Sequence, residues 1–122
     1  MNNSQDIRKV IQADFRRFEE AFAQVLHSED DLLSQVLDYI HSKRGKQLRP
    51  ILVLLSAALC RGITEKTIQT AVALELMHTA SLVHDDVVDD SPMRRGSEAV
   101  HTVWNNKIAV LVGDYLLTCV MH

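Results

Sequence analysis

Two prolines and four glycines are all the chain-breaking residues that 122 positions contain. A turn-rich β architecture needs many more of both, so their scarcity favours helices. Aromatic residues are few, at 5%. The only cysteines, Cys60 and Cys119, lie far apart in apolar runs. That spacing excludes a disulfide framework or a paired zinc site and reads as two reduced core thiols. Uninterrupted apolar runs such as residues 51–55 are far too short to cross a bilayer. Excess positive charge is missing too: the net charge is −3, which gives no reason to expect nucleic acid as a partner. The polar start of the chain, mixed in charge, is not a signal peptide. With 47% apolar residues and no repeat or low-complexity segment, the chain reads as cytoplasmic and soluble. Its length suits one small domain or part of a larger one.

What is present in excess is carboxylate, in one place. Asp85, Asp86, Asp89 and Asp90 fall within six positions, behind an apolar helix-like run and ahead of Arg94 and Arg95. Like charges so close repel, and at a helix C-terminus the macrodipole disfavours them further. A bound cation relieves both. At 3.6 residues per turn Asp85 and Asp89 share a face, with His78 and Ser81 on the same stripe, while Asp86 and Asp90 form a second pair rotated around the axis. Two hard oxygen ligands on one face suit Mg²⁺, which keeps waters and is often shared with substrate phosphates. An arginine pair beside such a cluster is what a diphosphate requires. The bland alternative is a solvated acidic turn before Ser91-Pro92.

Along the chain, residues 6–26 repeat apolar positions at three- and four-residue spacing, from Ile7 to Val25, with Ser4 as a candidate N-cap. The stripe reads as a packing face; a membrane-surface role is disfavoured by the mixed charge opposite it. Asp30 and Asp31 introduce a second helix that ends near Ser42. The segment 43–49 then carries four cations in seven residues and runs into Pro50 at the start of a helix. Such a place is either an anion site, since free backbone N–H groups add to the side-chain charge, or a solvated basic loop. Residues 51–60 are nearly all apolar and read as a helix buried on most sides, ended by Arg61-Gly62. Thr64 caps the next helix, which runs from Glu65 into the aspartates and holds two polar positions, Glu75 and His78, among apolar ones. Residues 91–97 read as a loop and 99–104 as a short helix interrupted by Asn105-Asn106. A final helix over 107–122, apolar almost all round, stops without a capping residue, which reads as a truncation.

Four stretches, in order, resemble one family. Gly45-Lys46-Gln47-Leu48-Arg49-Pro50 is similar to the GKRxRP signature of trans-isoprenyl (polyprenyl) diphosphate synthases, Asp85-Asp86-Val87-Val88-Asp89 to their first aspartate-rich motif DDxxD, Arg94-Arg95-Gly96 to the RRG after it, and Val112 to Leu117 to their AGDYLL segment. Two positions depart from the pattern: Arg44 stands where the family has a second glycine, and Gln47 where it has arginine. The second aspartate-rich motif is absent. The resemblance therefore implies an all-α, antiparallel helix bundle of the isoprenoid synthase type, incomplete, with residues 1–122 as the N-terminal part of a single domain.

The resemblance also implies roles. Lys46, Arg49, His78 and Arg95 would hold the diphosphate of isopentenyl diphosphate. Asp85 and Asp89, and Asp86 with them, would be the catalytic carboxylates, Asp85 and Asp89 binding Mg²⁺ that bridges to an allylic diphosphate, and Arg94 would pair with that same diphosphate. Ala80 and Ser81, the small residues five and four places before the first aspartate, would leave the tunnel for the growing chain open, implying a product beyond about twenty carbons. A homodimer is expected, and little activity from this chain alone. Two other readings stand beside this one: a non-catalytic or regulatory subunit of a two-component synthase, and a metal phosphohydrolase using His78, His84 and Asp85, for which the chain offers too few histidines.

Overall fold

The computed structural model describes residues 11–43, 47–60, 62–94 and 96–120. Among these lie six helices: α1 (Gln12–Val25), α2 (Asp31–Ser42), α3 (Leu48–Cys60), α4 (Glu65–Val88), α5 (Val100–Val103) and α6 (Asn106–Val120). A two-strand hairpin, β1 (Met93–Arg94) and β2 (Ser97–Glu98), sits between α4 and α5. The fold is all-α, as the shortage of proline and glycine implied.

Contacts divide the chain into two units. The first holds α1, α3 and the first half of α4, through Glu75. Ile11, Phe18, Phe22, Ile51, Leu54 and Ile68 are buried there. Along α1, Phe18 stacks on Phe22 with ring centres 5.6 Å apart. Each large apolar side chain so enclosed contributes about 1.5–3 kcal/mol. Arg17 bridges Asp14 and Glu65 at 3.2 and 3.1 Å, but all three are solvated and the pairs add little. The N-cap expected at Ser4 lies outside the described residues.

Helix α3 departs from expectation. It is buried on one side, through Pro50, Ile51 and Leu54, while Leu52 is 61% and Leu59 85% exposed. Cys60 is exposed, not a core thiol, and Cys119 is half-buried; neither is in a disulfide. Pro50 stands third in the helix, still inside the first turn, where its missing N–H costs no intrahelical bond. Gln47, just ahead, takes φ +57, a left-handed conformation unusual for a residue with a Cβ.

The second unit holds α2, the second half of α4, the hairpin, α5 and α6. Asp30 caps α2 through a 2.9 Å bond from Leu33 N–H to its carboxylate. In the first unit, helix α4 opens on a reciprocal cap, Thr67 N–H reaching Thr64 Oγ1 at 3.4 Å and Thr64 N–H reaching Thr67 Oγ1 at 3.1 Å. The segment read as a loop is in part a hairpin, pairing Met93 with Glu98 and Arg94 with Ser97. Gly96 turns it with φ +79, which a side chain would resist. The asparagines expected only to interrupt do more: Asn105 caps α6 by accepting from Ile108 N–H at 2.8 Å. Tyr39 ties α2 to the hairpin, its hydroxyl donating to the Glu98 carbonyl at 2.6 Å, and its ring meets Trp104 edge-on at 5.3 Å.

Candidate diphosphate site

The site is built at the C-terminal end of α4. Asp85 and Asp86 occupy its last turn. Asp89 extends the ladder by one bond, its N–H reaching the Asp85 carbonyl at 2.8 Å, which keeps the two residues on one face. Asp90 then turns left-handed at φ +54. Its N–H bonds the Val87 carbonyl at 3.2 Å, and that of Ser91 bonds the Asp86 carbonyl at 2.9 Å. This pair of bonds is a Schellman cap, which ends the helix between the third and fourth aspartates.

The four carboxylates therefore do not act alike. Asp85, Asp89 and Asp90 are exposed, whereas Asp86 is 5% exposed. Asp86 takes Arg94 in a two-pronged pair, Nε donating to Oδ2 at 3.1 Å and Nη2 to Oδ1 at 2.5 Å. These bonds, against partial burial, and then the charges of Asp86 and Asp85, raise the Arg94 guanidinium further above its ordinary value. Among the described residues no group of three or more His, Cys, Asp or Glu converges as a ready-made metal cage. Asp85 and Asp89 instead fit an ion that takes only one or two carboxylates and completes its shell with water and substrate oxygens.

Around this end, His84 reaches α6. Its Nε2 lies 3.2 Å from the Val110 carbonyl and 3.4 Å from the Asp114 carboxylate. Gly113 makes room for the ring: a Cβ there would lie 2.2 Å from His84 Nε2. Below the hairpin, His101 meets the Ser91 carbonyl at 2.7 Å, and Thr102 donates to that of Pro92 at 3.1 Å. These contacts hold the loop that carries Arg94. Ser81 is exposed, its hydroxyl donating to the His78 carbonyl at 2.8 Å, while Ala80 is fully buried. The two small residues thus face different surroundings. His78 is half-buried.

Arg49 is exposed in the first turn of α3, in the other unit. Lys46 and Arg95 lie outside the described residues. Asp85, Asp86, Asp89 and Arg94 are thus brought together at one helix end. Sequence reasoning names His84 only in the phosphohydrolase alternative, Gly113 only within the AGDYLL-like segment and Asn105 only as an interruption; it gives none of them the contact seen here. Gly113 carried a signal, since a lone glycine inside an apolar helix marks a close approach.

The chain is thus all-α, with two exposed carboxylates and an anchored arginine displayed at one helix end. The model of the Polyprenyl synthetase family matches residues 30–122, and the chain belongs to that family. It is 40% identical over 114 residues, 93% of its length, to an all-trans-nonaprenyl-diphosphate synthase (geranyl-diphosphate specific) of Rhodobacter capsulatus, of which it covers 35%. It is 41% identical over 103 residues, 84% of its length, to heptaprenyl diphosphate synthase component 2 of Geobacillus stearothermophilus, covering 32% of it. In structure it is similar to a polyprenyl synthase of Caulobacter crescentus solved with calcium and isoprenyl diphosphate, with a TM-score of 0.91 at 30% identity, over 98% of this chain and 36% of that one. The chain spans about a third of the length of the relatives it matches.

Proposed function

We infer that this chain carries the first aspartate-rich wall of a prenyltransferase, which condenses isopentenyl diphosphate with an allylic diphosphate to give a long-chain all-trans polyprenyl diphosphate. The observation that carries the reading is the set at the end of α4: Asp85 and Asp89 exposed on one face, with the Arg94 guanidinium fixed beside them. Diphosphate leaves only when its developing charge is neutralised, and charged groups already in place do that without reorganising during the reaction. Mg²⁺ held by Asp85 and Asp89 would supply Lewis-acid neutralisation of that charge. Arg94 adds N–H donors to the allylic diphosphate. Lys46, Arg49, His78 and Arg95 complete the reading as holders of the isopentenyl diphosphate. Residues 1–122 would form the N-terminal part of one such domain, with little turnover alone, in a cytoplasm that keeps the exposed Cys60 thiol reduced.

The test is calorimetry with Mg²⁺ and an allylic diphosphate. Wild-type chain should bind them together, and Asp85→Asn should weaken that binding about tenfold or more, equal to about 1.4 kcal/mol. Equal heats from the two proteins would refute the reading.

Product length is argued from α4 as well. Ser81 stands one turn from Asp85 on the exposed side, and Ala80 is enclosed in the core. Of the two, Ser81 is the position that would leave room for a growing chain. In an active full-length form, Ser81→Phe should shorten the product; chromatography showing an unchanged length would dismiss the tunnel assignment.

A second reading is favoured by one comparison: the Geobacillus relative is named as a component of its synthase. This chain would then work with a second, different polypeptide. Pull-down from cells of the source, followed by mass spectrometry, separates the readings: a stoichiometric unlike partner supports two components, and self-association supports a homodimer.

A further inference from the structure

Asp86 differs from its neighbours in a way the aspartate pattern alone does not convey. It is the one carboxylate of the four that is buried, and both of its oxygens are occupied by Arg94. Each Asp86 oxygen spends one lone pair on the guanidinium, and the lone pairs that remain sit on a side chain only 7% exposed, where a hydrated ion has little access. The guanidinium shows the complementary feature. Arginine has five N–H donors in a planar fork. Asp86 takes the Nε–Nη2 edge, so both Nη1 hydrogens and one on Nη2 remain, along the outer edge. The Arg94 side chain is 37% exposed, so a ligand from solvent can reach part of the group.

We propose that Asp86 is a positioning residue and not a metal ligand: it grips one edge of the Arg94 guanidinium so that the other edge is presented to an incoming diphosphate beside Asp85 and Asp89. The proposal rests on the diphosphate reading above and assigns the aspartates separate tasks. Pre-setting the fork removes the rotamer freedom that a solvated arginine would lose on binding an anion. Bonds to the backbone on either side support it: the Ser91 N–H is bonded to the Asp86 carbonyl, and the His101 and Thr102 side chains bond the Ser91 and Pro92 carbonyls of the loop that leads to β1.

The experiment uses two probes, Mn²⁺ alone, followed by electron paramagnetic resonance, and inorganic pyrophosphate with Mn²⁺, followed by calorimetry. Asp86→Asn keeps the size but offers one acceptor; Asp86→Glu keeps the charge and displaces the fork, and serves if the first variant does not fold. Either should retain Mn²⁺ affinity within about twofold, whereas Asp85→Asn loses about tenfold or more; pyrophosphate affinity should fall about tenfold in Asp86→Asn and in Arg94→Gln, and no further in the double variant. Mn²⁺ affinity falling in the Asp86 variants as far as in Asp85→Asn would overturn the proposal, and so would pyrophosphate losses that multiply in the double variant. A wild-type chain that binds neither probe would overturn the diphosphate reading and this proposal with it. Normal wild-type binding with a metal-defective Asp86 variant would overturn this proposal alone.

Discussion

At Gly113 the backbone of α6 lies against the imidazole of His84, with room for a hydrogen and nothing larger. The ring is held by the Val110 carbonyl at 3.2 Å, so it cannot swing aside without losing that bond. Gly113→Ala should therefore destabilise the chain by about 1–2 kcal/mol, the overpacking cost exceeding the helix-propensity gain of about 1 kcal/mol. In a His84→Ala background the same change should be neutral or stabilising, because the obstruction is gone. Denaturant melts of the four proteins check this, and a destabilisation that persists without the imidazole would show the cause to lie elsewhere. Residue chemistry also explains what the sequence could not show about the aspartates. Spacing puts Asp85 and Asp89 on one face, and they are there. Spacing cannot say that Asp86 will spend both oxygens on Arg94, because the hairpin that brings Arg94 back is a tertiary event.

Among the elements, the ends of helices were the most readable parts. Asp30 and Thr64 both cap where their side-chain chemistry says they should. The hairpin was not readable, since two-residue strands have no periodicity to detect. Its attachment to α2 through Tyr39 makes a testable pH effect. Burial first, and then the Glu98 charge, raise the Tyr39 phenol above its ordinary value of 10.0. A group raised in the folded state gives stability that is complete below its unfolded value and lost as pH climbs through the folded one. The denaturant midpoint should therefore decline above about pH 10. Tyr39→Phe should cost about 1 kcal/mol at neutral pH, for the lost bond to the Glu98 carbonyl, and flatten that decline. Tyr115, raised by burial and then by Cys119, would supply what slope remains. An alkaline profile identical in the two proteins would rule out Tyr39 as the source.

For the molecule as a whole, the notable feature is apolar surface left uncovered. Leu111 on α6 is 57% and Leu32 on α2 is 45% exposed, and both line a groove of about 210 Å³ with Val36, Ile108 and Tyr115. Apolar side chains exposed together in this way offer a face to a partner. Self-association through α6 is the expectation, and Leu111→Glu should shift the chain toward the monomer in sedimentation velocity runs. Its own stability should change by less than about 0.5 kcal/mol, because the side chain is on the surface. An unaltered sedimentation profile would exclude this face from the contact. No helix among the described residues is long and apolar enough to cross a membrane.

The amino-acid order on its own settled that the chain is helical, because 3.6-residue periodicity and the shortage of proline and glycine are local properties. It settled the family too, since four short segments keep their order and spacing, and it put two carboxylates on one stripe of α4. Tertiary structure alone decided how buried each apolar residue is. Helix α3, apolar nearly throughout, still leaves Leu52 and Leu59 in solvent, because burial depends on neighbours and not on composition. It decided, too, that one aspartate of four grips an arginine eight residues on. Only a folded loop can return a guanidinium to a particular carboxylate, and no rule of helical spacing reaches across a turn.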